Sequence, residues 1–136
     1  MSTSSTKATP VETQSSTVLL RGRVTAPPEE RELPSGDALV TFRLSVPRRP
    51  TPLGRGSRQT SDWVDCVAAA ARVRRAARTW SVGDEIEVDG VLRRRFYRTL
   101  NGGGGSRLEV EALQARRVRK AAAGPTRAAQ PSAVED

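Results

Sequence analysis

Residues 62–98, DWVDCVAAAARVRRAARTWSVGDEIEVDGVLRRRFYR, change their hydrophobic period twice. In residues 62–68 (DWVDCVA) the apolar set Val64, Cys66 and Ala68 alternates with Trp63 and Asp65, the pattern of a half-buried strand. From Ala69 to Trp80 the apolar positions Val73, Ala76, Ala77 and Trp80 fall at i, i+3, i+4 and i+7. That spacing predicts one face of a short helix, with Arg72, Arg74, Arg75 and Arg78 mostly turned away from it. Gly83 and Asp84 end this segment, and residues 85–98 return to period two. Ile86, Val88, Gly90 and Leu92 are expected inside, with Asp89, Val91, Arg93, Arg95 and Tyr97 on the other face. Parity with Leu92 also places Phe96 inside.

Outward from this strand–helix–strand unit, period two dominates. Residues 17–25 (TVLLRGRVT) predict a first strand with a bend or bulge at Gly22. Pro27, Pro28 and the Pro34–Asp37 cluster predict a loop or tight turn. Residues 39–46 (LVTFRLSV) predict a second strand with Val40, Phe42, Leu44 and Val46 inward and Thr41, Arg43 and Ser45 outward. A long loop, 47–60, follows, marked by Pro47, Pro50, Pro52, Gly54 and Gly56. Asn101–Gly105 reads as a flexible turn; it lacks the Lys-Ser/Thr of a phosphate loop. Residues 107–118 fit strand or helix by composition, and the alternation of Leu108, Val110 and Ala112 with Arg107, Glu109 and Glu111 favours strand. The predicted architecture is all-β: five strands with one short helix between the third and fourth, the layout of an OB-fold barrel.

The 136 residues suit one domain of residues 17–118 between tails, 1–16 and 119–136, expected to be disordered. The first tail is rich in Ser and Thr; the second is rich in Ala and interrupted by Pro125 and Pro131. Net charge is +8, nearly all of it from Arg, and the predicted domain holds 19 Arg against 12 acids. A sequence pI near 11.2 favours an anionic partner, nucleic acid before membrane. Histidine is absent, which removes His-based acid–base chemistry, Ser–His and Cys–His nucleophile pairs and most zinc sites. A single cysteine, Cys66, allows no internal disulfide and alternates with apolar residues as a small buried hydrophobe. Glu85, Glu87 and Asp89 share a face, but among so many arginines they are expected to form salt bridges and not a metal site. No enzyme activity, cofactor or metal is expected. No apolar run is long enough to cross a bilayer and no signal-peptide core opens the chain, so a cytoplasmic protein is expected.

Three stretches carry a family resemblance. VLLRGRVTAPPEERELPSGDALVTFRLSVPRR, DWVDCVAAAARV and WSVGDEIEVDGVLRRRFYR resemble, in order and spacing, bacterial single-stranded DNA-binding proteins. The resemblance covers about residues 17–118. It implies an OB-fold that binds single-stranded DNA without strong sequence preference, protects it in replication, recombination or repair, and assembles as a homotetramer or at least a dimer. Trp63 matches the family's stacking Trp of the third strand and Tyr97 the aromatic near the end of the fourth. Two positions depart from the family: Ala69 stands where a further stacking aromatic is usual, and Asp65 shares the face of Trp63. The family's acidic tip usually ends in an aromatic, whereas this chain ends Ala133-Val134-Glu135-Asp136. The resemblance thus supports DNA binding better than recruitment of other replication proteins, as in a divergent paralogue.

A binder of single strands needs flat rings for bases and cations for phosphates. Trp63 and Tyr97 are the candidate rings, while Trp80 and Phe42 belong to apolar stripes and read as core. Arg93 and Arg95 share the parity of Tyr97; Arg21, Arg23 and Arg43 share the outward face of their strands. Arg48, Arg49, Arg55 and Arg58 lie in a loop long enough to wrap a strand, or simply to be solvated. The competing reading is an OB-fold protein-interaction module or replication-restart accessory factor, favoured by Asp65, Ala69 and the missing aromatic tip.

Overall fold

The computed structural model describes residues 15–122. The ends of both predicted tails, 1–14 and 123–136, lie outside the described residues. The elements run β1 (Thr17–Val24), β2 (Glu29–Glu32), β3 (Ala38–Pro47), β4 (Ser61–Ala68), α1 (Ala71–Ala77), β5 (Glu85–Arg98) and β6 (Gly104–Arg119). Hydrogen-bonded neighbours follow the order β1-β5-β6-β4-β3, and β1 pairs again with β3 to close a ring of five strands. All neighbours are antiparallel except β4 and β6, which meet in parallel at Cys66↔Val110 and Val67↔Glu111. This is the predicted OB-fold, with the helix between the third and fourth strands of the ring.

Closure of the ring depends on β1 changing partners. Residues 17–23 pair with β5, while Arg23 and Val24 pair with β3. Gly22 sits at the changeover, where a Cβ would lie 2.5 Å from the Ser45 carbonyl oxygen. The two backbones approach this closely only because no side chain stands between them.

Alternation fills the interior as expected. Val24, Val40, Phe42, Leu44, Cys66, Ala68, Ile86, Val88, Val110 and Ala112 are buried in one cluster. Helix α1 closes one end of the barrel with Val73 and Ala77, and Trp80 beyond it meets Phe42 edge-to-face at 5.1 Å between ring centroids. Burial pushes the Cys66 thiol up to about 12, so it stays protonated and inert at neutral pH. Asp84 is the one buried charged residue among those described. Its carboxylate accepts from the Ser81 N–H at 2.9 Å, the Ala121 N–H at 2.8 Å and Arg117 Nη1 at 3.3 Å. It thereby ties the chain after β6 to the turn before β5.

Several expectations need correction. The region 27–37, read as loop, contains β2, an edge strand paired to β3 from Glu29↔Thr41 to Glu32↔Ala38. All four β2 residues are exposed, so no apolar alternation marks it. The helix, expected from Ala69, starts at Ala71 because Ala70 is still extended as its N-cap. The turn placed at Asn101–Gly105 spans Thr99 to Gly103, closed by the Thr99 N–H donating to the Gly103 carbonyl at 2.7 Å. Gly104 and Gly105 already belong to β6, which runs to Arg119.

The largest correction concerns Leu92 and Phe96, expected inside but 43% and 75% exposed. From Arg93↔Glu109 to Arg98↔Gly104, just past the last β4–β6 rung at Cys66↔Val110, β5 and β6 pair only with each other. They leave the barrel as a two-stranded ribbon, whose inward parity faces solvent because no other strand covers it.

Candidate nucleic-acid interface

The outer face of β3, β4, β6 and β5 collects the candidate side chains. Cross-strand register aligns Arg23 with Ser45 and Ser45 with Trp63. Trp63 is 64% exposed. The Arg43 guanidinium lies 4.0 Å from the centroid of the Trp63 ring, close enough for a cation–π contact. Arg43 Nε also donates to Asp65 Oδ1 at 2.8 Å, across the Arg43↔Asp65 register pair. The other Asp65 oxygen faces Arg107 Nη1 at 3.9 Å.

Arg107 carries the face onto the ribbon. It is the register partner of Arg95, and Gly105 is the partner of Tyr97. Arg93, Arg95 and Tyr97 therefore share the face that Arg107 and Asp65 extend to Trp63. The Tyr97 ring lies over Gly105, where a Cβ would sit 2.6 Å from the phenol oxygen. Both rings are accessible on one face of the sheet. Between β2 and β6 this face contains a groove of about 260 Å³, bordered by Arg31, Arg43, Asp65 and Arg107.

The arginines fall into two groups. Arg43, Arg93 and Arg48 are engaged with carboxylates: Arg93 with Glu111 at 2.9 Å, and Arg48 with both Asp62 oxygens at 2.8 and 3.0 Å. The hydrogen bond from Arg48 holds the Asp62 carboxyl below its ordinary range. Arg49, Arg55, Arg58 and Arg95 form no ion pair among the described residues. The loop carrying Arg48, Arg49, Arg55 and Arg58 leaves the sheet beside Trp63, beyond the rungs Val46↔Asp62 and Pro47↔Ser61.

Arg23 donates to the Gly83 carbonyl at 3.0 Å. Arg21 lies two residues farther along β1 from Ser45 and Trp63 than Arg23 does. It belongs to the ladder Arg21↔Glu87↔Arg116, where its hydrogen bond to Glu87 holds that carboxyl below its usual range. Glu85 takes Arg21 and Arg119, so Glu85 and Glu87 form the expected salt bridges, whereas Asp89 forms none among the described residues. Sequence reasoning missed Arg107 as a site residue. Its alternation with Leu108 was legible, but its approach to Asp65 depends on the parallel β4–β6 contact, which no local pattern encodes.

The chain has relatives over most of its length. It is 36% identical over 101 residues to single-stranded DNA-binding protein 3 of Listeria innocua, an alignment covering 74% of this chain and 60% of that relative. It is 34% identical over 101 residues to single-stranded DNA-binding protein A of Bacillus subtilis, covering 74% of this chain and 56% of that relative. With single-stranded DNA-binding protein 1 of Staphylococcus aureus the identity is 36% over 85 residues, covering 62% of this chain and 50% of that relative. The chain thus spans between half and three-fifths of the length of these relatives. Residues 15–118, the whole barrel and its ribbon, match the single-strand binding protein family, and the chain belongs to that family.

Proposed function

We propose that this chain binds single-stranded DNA without strong base preference, laying the strand across the outer face from Trp63 to Tyr97, and that it protects such strands in replication, recombination or repair. The observation that carries this reading is the pair of accessible rings, Trp63 and Tyr97, on one arginine-bearing face of a family barrel. Each stacked base contributes roughly 1–3 kcal/mol, and arginine–phosphate contacts add a salt-dependent term. Unpaired Arg49, Arg55, Arg58 and Arg95 are the residues best placed to supply that term, because Arg43, Arg48 and Arg93 must first share their carboxylates. Catalysis has no part in this reading. Its compartment is the cytoplasm, and self-assembly into a dimer or tetramer belongs to it, supported by the exposed Leu19 on β1 and Leu113 on β6.

A titration with oligo-dT followed by tryptophan emission at several salt concentrations, beside a duplex of equal length, tests the proposal. Quenching that disappears in Trp63→Ala, with affinity falling steeply as salt rises, is the expected result. Equal affinity for duplex would reduce the face to a generic basic patch. The acids on this face, Asp65, Glu109 and Glu111, favour one alternative, a protein-docking module, and absence of any binding to oligo-dT would leave that reading standing.

A further inference from the structure

The β5–β6 ribbon has two sides, and the reading above uses only one. On the reverse side stand Arg94, Phe96 and Arg98 from β5, opposite Leu108, Ser106 and Gly104 from β6. Phe96 is three-quarters exposed, and the residues two before and two after it in its strand are both arginines. Arg94 Nη1 donates to Ser106 Oγ at 3.0 Å, which confirms that the two share this side. Neither Arg94 nor Arg98 forms an ion pair among the described residues. No carboxylate stands on the reverse side between Leu92 and Arg98 or between Gly104 and Val110, whereas the front carries Glu109 beside Arg93. A large ring left in water between two uncompensated cations is the composition of a single-strand platform: a π-face for a base, flanked by phosphate contacts. A protein surface covering it would have to bring its own acids to meet Arg94 and Arg98; a polyanion meets both and the ring at once.

Resting on the front face as a single-stranded DNA site, we propose that the reverse side of the ribbon is a second stacking site for the same strand. Phe96 is the platform and Arg94 and Arg98 are the phosphate contacts. A strand that leaves Tyr97 turns round the ribbon and continues on its other side.

The full chain irradiated with a long oligo-dT carrying 5-iodouracil, followed by peptide mapping, reads both sides together. Adducts are expected at Phe96 as well as at Trp63 or Tyr97. Because Phe96 is exposed, Phe96→Ala should fold normally and weaken binding of the long oligonucleotide about five- to a hundredfold, as for the loss of one stacked base. Trp63 quenching at saturation should be unchanged. Adducts confined to Trp63 and Tyr97, with wild-type affinity in Phe96→Ala, would overturn the second site and leave the first intact. Loss of concentration-dependent self-association in Phe96→Ala, with DNA affinity unchanged, would also overturn it, making the face a contact between copies. Absence of adducts and of binding altogether would instead remove the front-face reading on which it rests.

Discussion

Arg43 covers one face of the Trp63 indole, its guanidinium carbon 4.0 Å from the ring centroid, while Asp65 holds it there from the neighbouring strand. A base can therefore stack on the opposite face of the indole, which would then lie between a nucleobase and a cation. Such an arrangement has opposing consequences. The cation orients the ring, and the carboxylate that fixes the cation repels an approaching phosphate.

Asp65→Asn removes that repulsion and releases both Arg43 and Arg107. Affinity for oligo-dT should rise severalfold at low salt, and the slope of log affinity against log salt should steepen by about one. Titrations of both proteins across a salt series check this. A fall in affinity would show instead that Asp65 positions Arg43 more than it opposes DNA.

The two tryptophans should separate cleanly. Trp63→Ala should leave stability within about 0.5 kcal/mol of wild type, as for an exposed residue, and abolish quenching by oligo-dT. Trp80→Ala, which empties the space against Phe42, should cost about 3–5 kcal/mol in denaturant unfolding.

Gly105→Ala should act through Tyr97. The added methyl would sit 2.6 Å from the phenol oxygen and 2.7 Å from Cζ, so the ring has to swing aside. Tyr97 lies on an exposed ribbon, and the swing should cost little stability. DNA binding should drop about as far as in Tyr97→Ala, and the double variant should be no weaker than either single one. Additive losses would show that Gly105 serves the backbone and not the ring.

Asp84 predicts a pH effect. Burial pushes its carboxyl up, but hydrogen bonds from the Ser81 and Ala121 N–H groups and from Arg117 outweigh it and hold the group below its ordinary range. A depressed folded value means that its stabilising contribution is present above the unfolded value of about 3.9 and disappears as pH falls through the folded value. Asp84→Asn should destabilise by about 1–3 kcal/mol at neutral pH. The gap from wild type should narrow in strong acid, measured by urea unfolding at a series of pH values.

The barrel was legible because its strands are half-buried, and Val40, Phe42, Leu44 or Ile86, Val88 announce such a strand by alternation alone. Trp63 could be placed outside for the same reason. Strand β2 was not legible, since Glu29–Glu32 bury no side chain and are held to the sheet by backbone pairing with β3. Leu92 and Phe96 were misplaced because alternation reports which side a residue faces but not whether anything stands there. The arginines could be counted but not weighed: Arg48 meets Asp62 across a loop, and Arg43 meets Asp65 across a strand pair.

Because β5 and β6 continue alone past Leu92↔Val110, the span between the two aromatic platforms is set by the bend of a double strand against its barrel and not by side-chain rotamers. The ribbon projects like one jaw of a caliper from the point where β6 loses its contact with β4, beside Cys66↔Val110 and Val67↔Glu111. On the proposed reading, a few degrees of flexure there would change the gap from Trp63 to Tyr97 to suit the local stretch of a bound strand, while the core residues stay in their places.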